Sequence, residues 1–423
     1  MRKEHSFNII ILLVFFSSAL IGTLLPMAQD LEANPLINVT QAQVELISSL
    51  FLIVGACCSL IWAILATRFS RKKLLLIATL EWSICASLTV LATDFLSLLT
   101  FQLLTAIGFG AVIPITFSLI VDLKKPEERG FAFGWKETNY VLGIGFAQIL
   151  SGFLIEHYPW YVPFIVISIG GFACAFLLFP MTPPERGEMD TMTGSSDISG
   201  TWIRREDFKE IAKKKSNLLI LLFTFALFIG LGAISINLSL MLSSSTDHGF
   251  DISTATIFLI IIYIGQIPSG ALLGKLSDRR YESDDNARIK VVIMCLMIGA
   301  SLYIVGFSMA FTFLAPPIII VLFLIVTSVG AFFFGGIDPL LQATLGEINT
   351  SKTRSTIYSL NYLTYTFGRS ISLLILMGFF TGFGFFRAGF IILSIVCLCC
   401  ILFLIPLLKT LPRESPRKKF SPI

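Results

Sequence analysis

The feature that most constrains this chain is a series of twelve continuous apolar stretches, each long enough to cross a lipid bilayer. Hydrophobic residues make up 55% of its 423 positions and charged residues 14%. A water-soluble core cannot bury that much apolar surface, and a membrane-spanning helix needs about 20 mostly apolar residues. The predicted spans 1 to 12 are 8–28, 43–67, 74–93, 96–121, 131–155, 161–180, 217–241, 253–274, 289–311, 317–341, 355–380 and 386–408.

The spans predict an all-α membrane protein. In hydrocarbon every backbone polar group needs an internal partner, so only helices and closed β-barrels cross a bilayer. Barrel strands alternate apolar and polar residues, whereas these stretches are apolar throughout. We therefore expect twelve transmembrane helices in two pseudo-symmetric six-helix bundles.

The basic residues predict the orientation. All but three of the 31 Lys and Arg residues lie in, or within two residues of, the N-terminal tail, the even-numbered connections or the C-terminal tail; the exceptions are Lys136, Arg369 and Arg387. The positive-inside rule then puts both termini in the cytoplasm, and we expect a multi-pass protein of the plasma membrane. Basic residues in short loops face anionic headgroups, so they do not indicate nucleic-acid binding.

One long polar connection divides the chain. It covers 182–216 and is rich in Pro, Gly, Ser and charged residues, which is typical of a linker. We predict an N-terminal bundle at 1–181, this cytoplasmic linker, and a C-terminal bundle with a cytoplasmic tail at 217–423.

An internal repeat supports the division. Asp122 precedes Arg129 by seven positions after span 4, and Glu347 precedes Arg354 by seven after span 10. Gly143 and Gly368 continue the same spacing into the next spans. Repeated bundles of this kind are typical of transporters.

The segment 274–280, Gly-Lys-Leu-Ser-Asp-Arg-Arg, resembles the cytoplasmic gating motif of the major facilitator superfamily. The first-half copy has Thr67 in place of the motif's Asp. The resemblance implies an inner gate of carboxylates, arginines and helix N-termini, and we predict these gating residues: Asp278, Arg279, Arg68, Arg71, Asp122, Arg129, Glu347 and Arg354. Asp338 is either a further gate residue beside Arg354 or a helix-end charge.

Segments 183–188 and 347–356 look most like the spinster branch of that superfamily, which is associated with lysophospholipids and sphingolipids. Gln102 and Ala111 stand where that branch has an Arg and a Glu. The residues that would support proton coupling in the branch are therefore missing.

Arg369 is the deepest cation of span 11. Tyr358, Tyr362 and Tyr365 precede it at spacings that place all four side chains on one helical face. Because a lipid-facing Arg near the midplane is unfavourable, we expect this face to line a cavity for an anion with apolar parts. The alternative is a tie between helices, with Arg369 paired to an acidic neighbour.

Span 5 carries Lys136 and Glu137. Neighbours in sequence point apart on a helix, so we expect each to have a different partner. The repeat maps Lys136 and Tyr140 onto Asn361 and Tyr365, which predicts a shared central pocket. The alternative is that Lys136 extends to the cytoplasmic headgroups.

Further polar residues lie on other spans. Glu81 in span 3 is either part of a structural pair or a proton carrier, because burial raises the pKa of a carboxyl group. Four polar residues lie on spans that line the pore in the resembled family and are candidates for substrate contact or for bonds between helices: Gln102, Asn237, Tyr263 and Gln266.

Together these features predict a secondary transporter that moves a small amphipathic or anionic organic solute by alternating access. The alternatives are a lysolipid or sphingolipid carrier of spinster type and a non-transporting membrane receptor or scaffold. The sequence places no nucleophile, set of metal ligands or pair of carboxylates together at one depth of the membrane. We therefore expect that the protein is not an enzyme and that it binds no metal or cofactor. The expected partners are a small-molecule solute or lipid and the lipid bilayer. We expect no nucleic-acid partner, and we expect the protein to be a monomer.

Overall fold

The structure, a computed structural model, describes residues 2–34, 37, 39–155, 157–189, 205–244, 247–281, 283–383 and 386–414. Within these ranges the regular secondary structure is helical, which confirms the predicted all-α class. The helices are α1 (Arg2–Thr23), α2 (Ala28–Ala33), α3 (Gln41–Arg68), α4 (Arg71–Leu88), α5 (Phe95–Leu123), α6 (Arg129–Ile155), α7 (Val162–Leu178), α8 (Arg205–Lys213), α9 (Lys215–Ser243), α10 (Ile252–Ile264), α11 (Ser269–Tyr281), α12 (Ala287–Ser308), α13 (Pro317–Gly335), α14 (Ile337–Ile348), α15 (Arg354–Phe383), α16 (Phe386–Cys399) and α17 (Ile401–Glu414).

Each of the twelve predicted spans falls on helix. In the described part of the chain, ten helical segments are long and apolar enough to cross a membrane, and α7 is a shorter apolar helix. The predicted span 11 corresponds to α15, whose 30 residues extend about 45 Å at 1.5 Å each.

Two predicted spans are interrupted by proline. Span 8 is divided into α10 and α11 by a turn at 265–268, and Pro268 has no N–H to donate to the carbonyl of Ile264. Span 10 is divided into α13 and α14 at Gly336, three positions before Pro339, which cannot donate to Gly335. Both breaks follow from the missing backbone donor.

Side chains cap two of the long helices at their N-termini. The hydroxyl of Thr40 accepts from the backbone N–H of Gln43, whose side chain accepts from Thr40 in return, and this capping box starts α3. Asp94 and Ser97 form the equivalent pair at the start of α5.

The chain divides into two compact units. Unit 1 comprises Met1–Pro126, Trp135–Phe208 and Asn349–Tyr362. Inside it α5 packs against α3 and α4, while α7 packs against α4 and α1. Gly171 on α7 leaves room for the fully buried ring of Trp82 on α4.

Unit 2 comprises Glu127–Gly134, Lys209–Ile348 and Leu363–Ile423. Inside it α12 packs against α13 and α16, and α9 packs against α16 and α17. Gly230 of α9 faces Cys397 of α16, where an added Cβ would collide with the neighbouring helix. The predicted boundaries at 181 and 216 stay a prediction, and 190–204 of the predicted linker lie outside the described residues.

Candidate functional site

Lys136 and Glu137 of α6 form an ion pair inside unit 1. The Nζ of Lys136 donates to Oε2 of Glu137 at 2.6 Å. The expectation that these neighbours have different partners is wrong, because the flexible lysine side chain bends around the helix to its neighbour. The Lys136 side chain is only 3% exposed, against 21% for Glu137, which disfavours the alternative in which Lys136 reaches the headgroups.

Aromatic rings surround the ammonium of Lys136. Its Nζ lies 4.3 Å from the ring centre of Phe117 on α5 and 5.8 Å from that of Tyr140, both within cation–π range. Tyr358 meets Phe117 edge to face, with ring centres 5.2 Å apart. The predicted neighbour Tyr140 therefore does contact Lys136, and Phe117 is a contact that the helical repeat alone did not indicate.

Arg369 lies in unit 2, where Tyr365 orients its guanidinium group. Nη1 of Arg369 donates to the hydroxyl of Tyr365 at 3.1 Å, and the Tyr365 ring packs on Phe228 with centres 4.1 Å apart. Tyr263 of α10 lies in the same unit. Since a phenol is neutral, its hydrogen bond orients the guanidinium group without cancelling the charge.

Close packing fixes the backbone beneath Arg369. A Cβ added to Gly232 of α9 would lie 2.7 Å from Cα of Arg369, which is too close for any side chain there. One turn further on, the N–H of Ala233 donates to Oγ of Ser372 at 2.8 Å. Because Gly232 has no side chain, the backbone of α15 at Arg369 can lie directly against α9.

The other predicted contact residues are distributed between the units. Asn361 and Tyr362 are buried in unit 1. Gln102 donates to Oγ1 of Thr89 at 3.2 Å. In unit 2, Asn237 donates to a carbonyl of its own helix at 3.2 Å, and Gln266 lies in the turn before α11. Of the predicted substrate contacts, Tyr365 is the residue whose hydrogen bond with Arg369 the described part of the chain shows. The shared pocket of Lys136 and Arg369 stays a prediction.

Asp122 is the centre of a buried charge cluster in unit 1. Its Oδ2 lies 2.5 Å from Nη1 of Arg71, and its Oδ1 accepts from Nη1 of Arg354 at 2.8 Å. The backbone N–H of Gly187 donates to the same carboxylate at 3.1 Å, from a left-handed conformation (φ 72°) that favours glycine. Three predicted gating residues therefore meet, and the segment after α7 joins them.

Arg186, beside Gly187, holds the end of α3. Its Nη2 donates to the carbonyls of Ala66 and Phe69 at 2.6 and 3.2 Å. Burial lowers the pKa of the Arg186 guanidinium, and the charge of Arg71 lowers it further. These bonds satisfy carbonyls that a helix C-terminus leaves without partners.

Asp278 joins the start of α6 to α12 within unit 2. Its carboxylate accepts from the backbone N–H groups of Gly130 at 3.1 Å and Phe131 at 2.8 Å, and from Nη2 of Arg288 at 3.0 Å. A carboxylate at this position is stabilised by the positive end of the helix dipole. The predicted role of Asp278 at a helix N-terminus matches this geometry.

Glu347 extends that cluster. Its Oε1 lies 3.0 Å from Nη1 of Arg288 and 3.8 Å from Nη1 of Arg129, and the hydroxyl of Tyr281 also donates to the carboxylate. Arg288 was missed by the sequence reasoning. A signal existed, since in each half the first turn of the helix after the gating-motif segment carries an arginine, Arg71 in α4 and Arg288 in α12.

Three other predicted gating residues are Arg68, Arg279 and Asp338. Arg68 and Arg279 are exposed at the ends of α3 and α11. The guanidinium of Arg68 lies 5.8 Å from the Phe69 ring centre, and the carboxylate of Asp338 accepts from Gln342 one turn further along α14. Both alternatives for Asp338, gate residue or helix-end charge, stay predictions.

Glycines bring α6 and α11 into backbone contact in unit 2. A Cβ at Gly270 would lie 2.9 Å from the carbonyl oxygen of Gly134, and a Cβ at Gly134 would overlap the backbone of Gly270. Gly130 and Gly274 form a second close approach one turn away. Small residues at four-residue spacing permit this packing inside a membrane.

Glu81 lies on α4 in unit 1. The thiol of Cys85 donates to its Oε1 at 3.7 Å, while its Oε2 is buried without a hydrogen-bond partner among the described residues. Gly108 of α5 leaves the space for this carboxyl group. Its role as a proton carrier stays a prediction.

The sequence profile described as Major Facilitator Superfamily matches residues 7–327 and 287–422. The chain belongs to this superfamily. The assignment confirms the resemblance to the superfamily and indicates an integral, multi-pass membrane protein. The more specific resemblance to the spinster branch stays a prediction.

Two curated relatives are similar over part of the chain. The uncharacterized MFS-type transporter YhcA of Bacillus subtilis (strain 168) is 26% identical over 203 residues, a match that covers 47% of this chain and 38% of YhcA. The probable sulfoacetate transporter SauU of Cupriavidus necator is 25% identical over 296 residues, covering 67% of this chain and 66% of SauU. The matches thus span about two fifths and two thirds of those relatives.

A solved superfamily structure supports the fold. The human organic anion transporter MFSD10 superposes with a TM-score of 0.76 at 13% identity, covering 96% of this chain and all of that chain. At this identity the likeness concerns the fold alone.

Proposed function

We propose that this protein is a secondary transporter that moves a small amphipathic or anionic organic solute by alternating access. The observation that carries the proposal is the guanidinium group of Arg369, held within a membrane helix by the neutral hydroxyl of Tyr365 at 3.1 Å. An ionisable residue within a membrane segment is a candidate functional site by default. The N–H groups of the guanidinium can donate hydrogen bonds to the carboxylate or sulfonate of a substrate anion.

The chemistry around Arg369 favours a carboxylate or sulfonate. A guanidinium group presents five N–H donors in a planar fork that matches two oxygens of such an anion. The rings of Tyr365 and Phe228 lie beside it and offer contact to the apolar part of the solute. The name of the relative SauU refers to a small sulfonate, which supports this class of substrate.

The buried ion pairs support alternating access. Asp278 and Asp122 each bind arginines and backbone N–H groups, and charge clusters of this kind can exchange partners between two states. We also propose that the ends of the given chain are cytoplasmic, that the membrane is the plasma membrane, and that the transporter acts as a monomer.

A thermal-shift screen of purified protein tests the substrate class. The panel is sulfoacetate, benzoate, neutral sugars, amino acids and lysophospholipid, and a ligand at 100 times its Kd stabilises the native state by ~2.7 kcal/mol. We expect organic anions to raise the Tm of the wild type but not of Arg369→Gln, with a partial effect in Arg369→Lys because lysine lacks the planar fork.

Phe367→Leu, two positions away and exposed on α15, is the matched control and should respond like the wild type. Counterflow of the stabilising anion in proteoliposomes then separates transport from binding. Stabilisation by lysophospholipid alone, equal in wild type and Arg369→Gln, would overturn the proposal and favour the lipid-carrier alternative. Binding without counterflow would favour the receptor alternative.

A further inference from the structure

Three cations lie where α9 begins and α17 ends. We propose that Lys215 of α9 and Lys409 and Arg413 of α17 bind the phosphate of an anionic phospholipid, whose acyl chains lie along the two helices. Both helices belong to unit 2 and to segments long and apolar enough to cross the membrane. The inference goes beyond the proposed function, because it involves neither Arg369 nor the transported solute.

Hydrogen bonds fix the end of α17 against the start of α9. The carboxylate of Glu414 accepts from the backbone N–H groups of Lys215 at 2.9 Å and of Ser216 at 3.0 Å. The hydroxyl of Ser216 also donates to Oγ1 of Thr410 at 3.0 Å. Glu414 thus satisfies N–H groups that the start of a helix leaves without partners. A phosphate at this surface would therefore be bound by side chains rather than by the helix N-terminus.

The segment formed by α16 and α17 runs in the opposite direction to α9. The thiol of Cys397 on α16 donates to the carbonyl of Leu227, near the middle of α9, at 3.8 Å. Thirteen positions later in the chain, Thr410 meets Ser216 at the start of α9. The two segments are therefore antiparallel, and their contact continues to the membrane surface at which α9 begins.

The three cations lie on the same side of this contact. Lys215 precedes Ser216 by one position, and Lys409 precedes Thr410 by one, so each is turned about 100° from the contact between the helices. In antiparallel right-handed helices, one step backward along each chain turns towards the same side. Arg413 lies four positions after Lys409 and therefore shares its face, one turn nearer the end of α17.

Exposed apolar side chains continue this surface into the membrane. On α9, Leu218 and Leu222 lie three and seven positions after Lys215 and are 54% and 41% exposed. On α17, Leu402 and Ile405 lie on the face that carries the two cations and are 68% and 51% exposed. The surface thus changes from apolar to cationic along both helices. A phospholipid has the complementary arrangement, with apolar chains and an anionic phosphate.

The three cations are exposed, whereas the neighbouring Lys214 is used inside the protein. Its Nζ donates to Glu210 at 3.2 Å and to the carbonyl of Ile348 at 2.8 Å. The ion pairs of the described residues include none of the three cations. Three positive charges beside the single negative charge of Glu414 leave the surface cationic. The guanidinium of Arg413 can bind two phosphate oxygens, and the lysines act as point charges.

Native mass spectrometry of the purified protein tests the site. Phosphatidylglycerol and phosphatidylcholine with the same acyl chains are titrated into the protein in a neutral detergent, and the Kd of the first bound lipid is measured. We expect the wild type to bind phosphatidylglycerol more tightly. Lys215→Gln/Lys409→Gln/Arg413→Gln changes exposed side chains only, so it should fold. It should bind phosphatidylglycerol about tenfold to a hundredfold more weakly, since each basic residue near anionic lipid contributes about fivefold.

Two further triple variants serve as controls. The first removes the same charge from exposed positions elsewhere and should keep the wild-type affinity for phosphatidylglycerol: Lys73→Gln/Lys125→Gln/Lys275→Gln. The second keeps the three charges at the site and should bind this lipid nearly as tightly as the wild type: Lys215→Arg/Lys409→Arg/Arg413→Lys. In the wild type, added salt should weaken the binding, because exposed charges are screened.

Equal affinity of the wild type for the two lipids would overturn the proposed lipid site. An equal loss of affinity in the two glutamine variants would also overturn it, because only the total charge would then matter. Competition by free glycerol 3-phosphate as strong as that by phosphatidylglycerol would contradict the role of the acyl chains and indicate a site for a soluble phosphate. The proposed function is tested separately, because none of these measurements involves the transported solute.

Discussion

Arg354 and Asp122 form a buried ion pair although 232 positions separate them in the chain. Nη1 of the arginine lies 2.8 Å from Oδ1 of the aspartate, and neither side chain is more than 2% exposed. Arg71 approaches the other carboxylate oxygen at 2.5 Å. One carboxylate therefore pairs with two buried guanidinium groups.

Replacing Asp122 by asparagine should strongly destabilise the protein. The side chain keeps its size, but Arg71 and Arg354 lose their counter-charge while remaining buried, a change that typically costs about 3 to 5 kcal/mol. We expect a large fall in the Tm of the detergent-solubilised protein. Glu128→Gln, a nearby exposed carboxylate, is the control and should differ little from wild type. Equal Tm values for the two variants would contradict a central role for Asp122.

Arg288 should matter more than the neighbouring motif residue Arg279. Arg288 is 1% exposed and lies 3.0 Å from both Asp278 and Glu347, whereas Arg279 is exposed on α11. We expect Arg288→Gln to lower the Tm by several degrees more than Arg279→Gln, because it leaves two carboxylates without their shared cation. A larger effect of Arg279→Gln would contradict this prediction and indicate that Arg279, the arginine of the motif, is the more important gate residue.

The glycine contact between α6 and α11 should not tolerate even a methyl group. Gly270→Ala places a Cβ 2.9 Å from the carbonyl oxygen of Gly134, so the helices must separate. We expect a lower Tm together with greater labelling of cysteines introduced nearby. Gly145→Ala on α6 is the matched control, because its added Cβ meets no atom within 4 Å and alanine is about 1 kcal/mol better in a helix. Destabilisation of both variants alike would point to a general effect of the substitution.

His248 should make stability depend on pH. Its Nδ1 lies 2.8 Å from the carbonyl oxygen of Phe311, and its Nε2 is buried with no partner among the described residues. Burial lowers the pKa of this imidazole below its ordinary value of 6.5, despite the opposing bond to Phe311 and charge of Asp247. As the pH falls, His248 is therefore protonated at a higher pH in the unfolded chain than in the folded protein. The contribution of neutral His248 to the free energy of unfolding is fully present above pH 6.5 and is lost as the pH decreases toward the lower pKa of the folded state.

The measurement for His248 is the Tm at half-unit steps from pH 8 to pH 5. His248→Gln should flatten the decline below pH 6.5, whereas His157→Gln, at an exposed histidine, should retain it. A wild-type Tm that rises over this range would contradict the sign of the effect.

Much of the candidate site follows from local patterns. The depth of Arg369 follows from its position in a long apolar run, and the contact of Lys136 with Tyr140 follows from their spacing of four on one helix. The motif resemblance predicted that Asp278 meets a helix N-terminus. These relationships depend on residues close in sequence or on a motif with a fixed geometry.

Other contacts could not be predicted from such patterns. Adjacent positions argued against a bond between Lys136 and Glu137, yet rotation about the lysine side chain allows it. The motif indicated Arg279, but the burial of α12 brings Arg288 to Asp278 instead. Side-chain rotamers and the burial of particular helix faces are not encoded in spacing.

By itself the sequence predicted that the chain is all-helical and which of its segments are long and apolar enough to cross a bilayer, because hydrophobic length acts along the chain over a few turns of helix. Only the tertiary structure decided which cation meets which carboxylate. A pairing such as Arg354 with Asp122 joins residues distant in sequence, and its 2.8 Å separation depends on how closely the intervening helices pack.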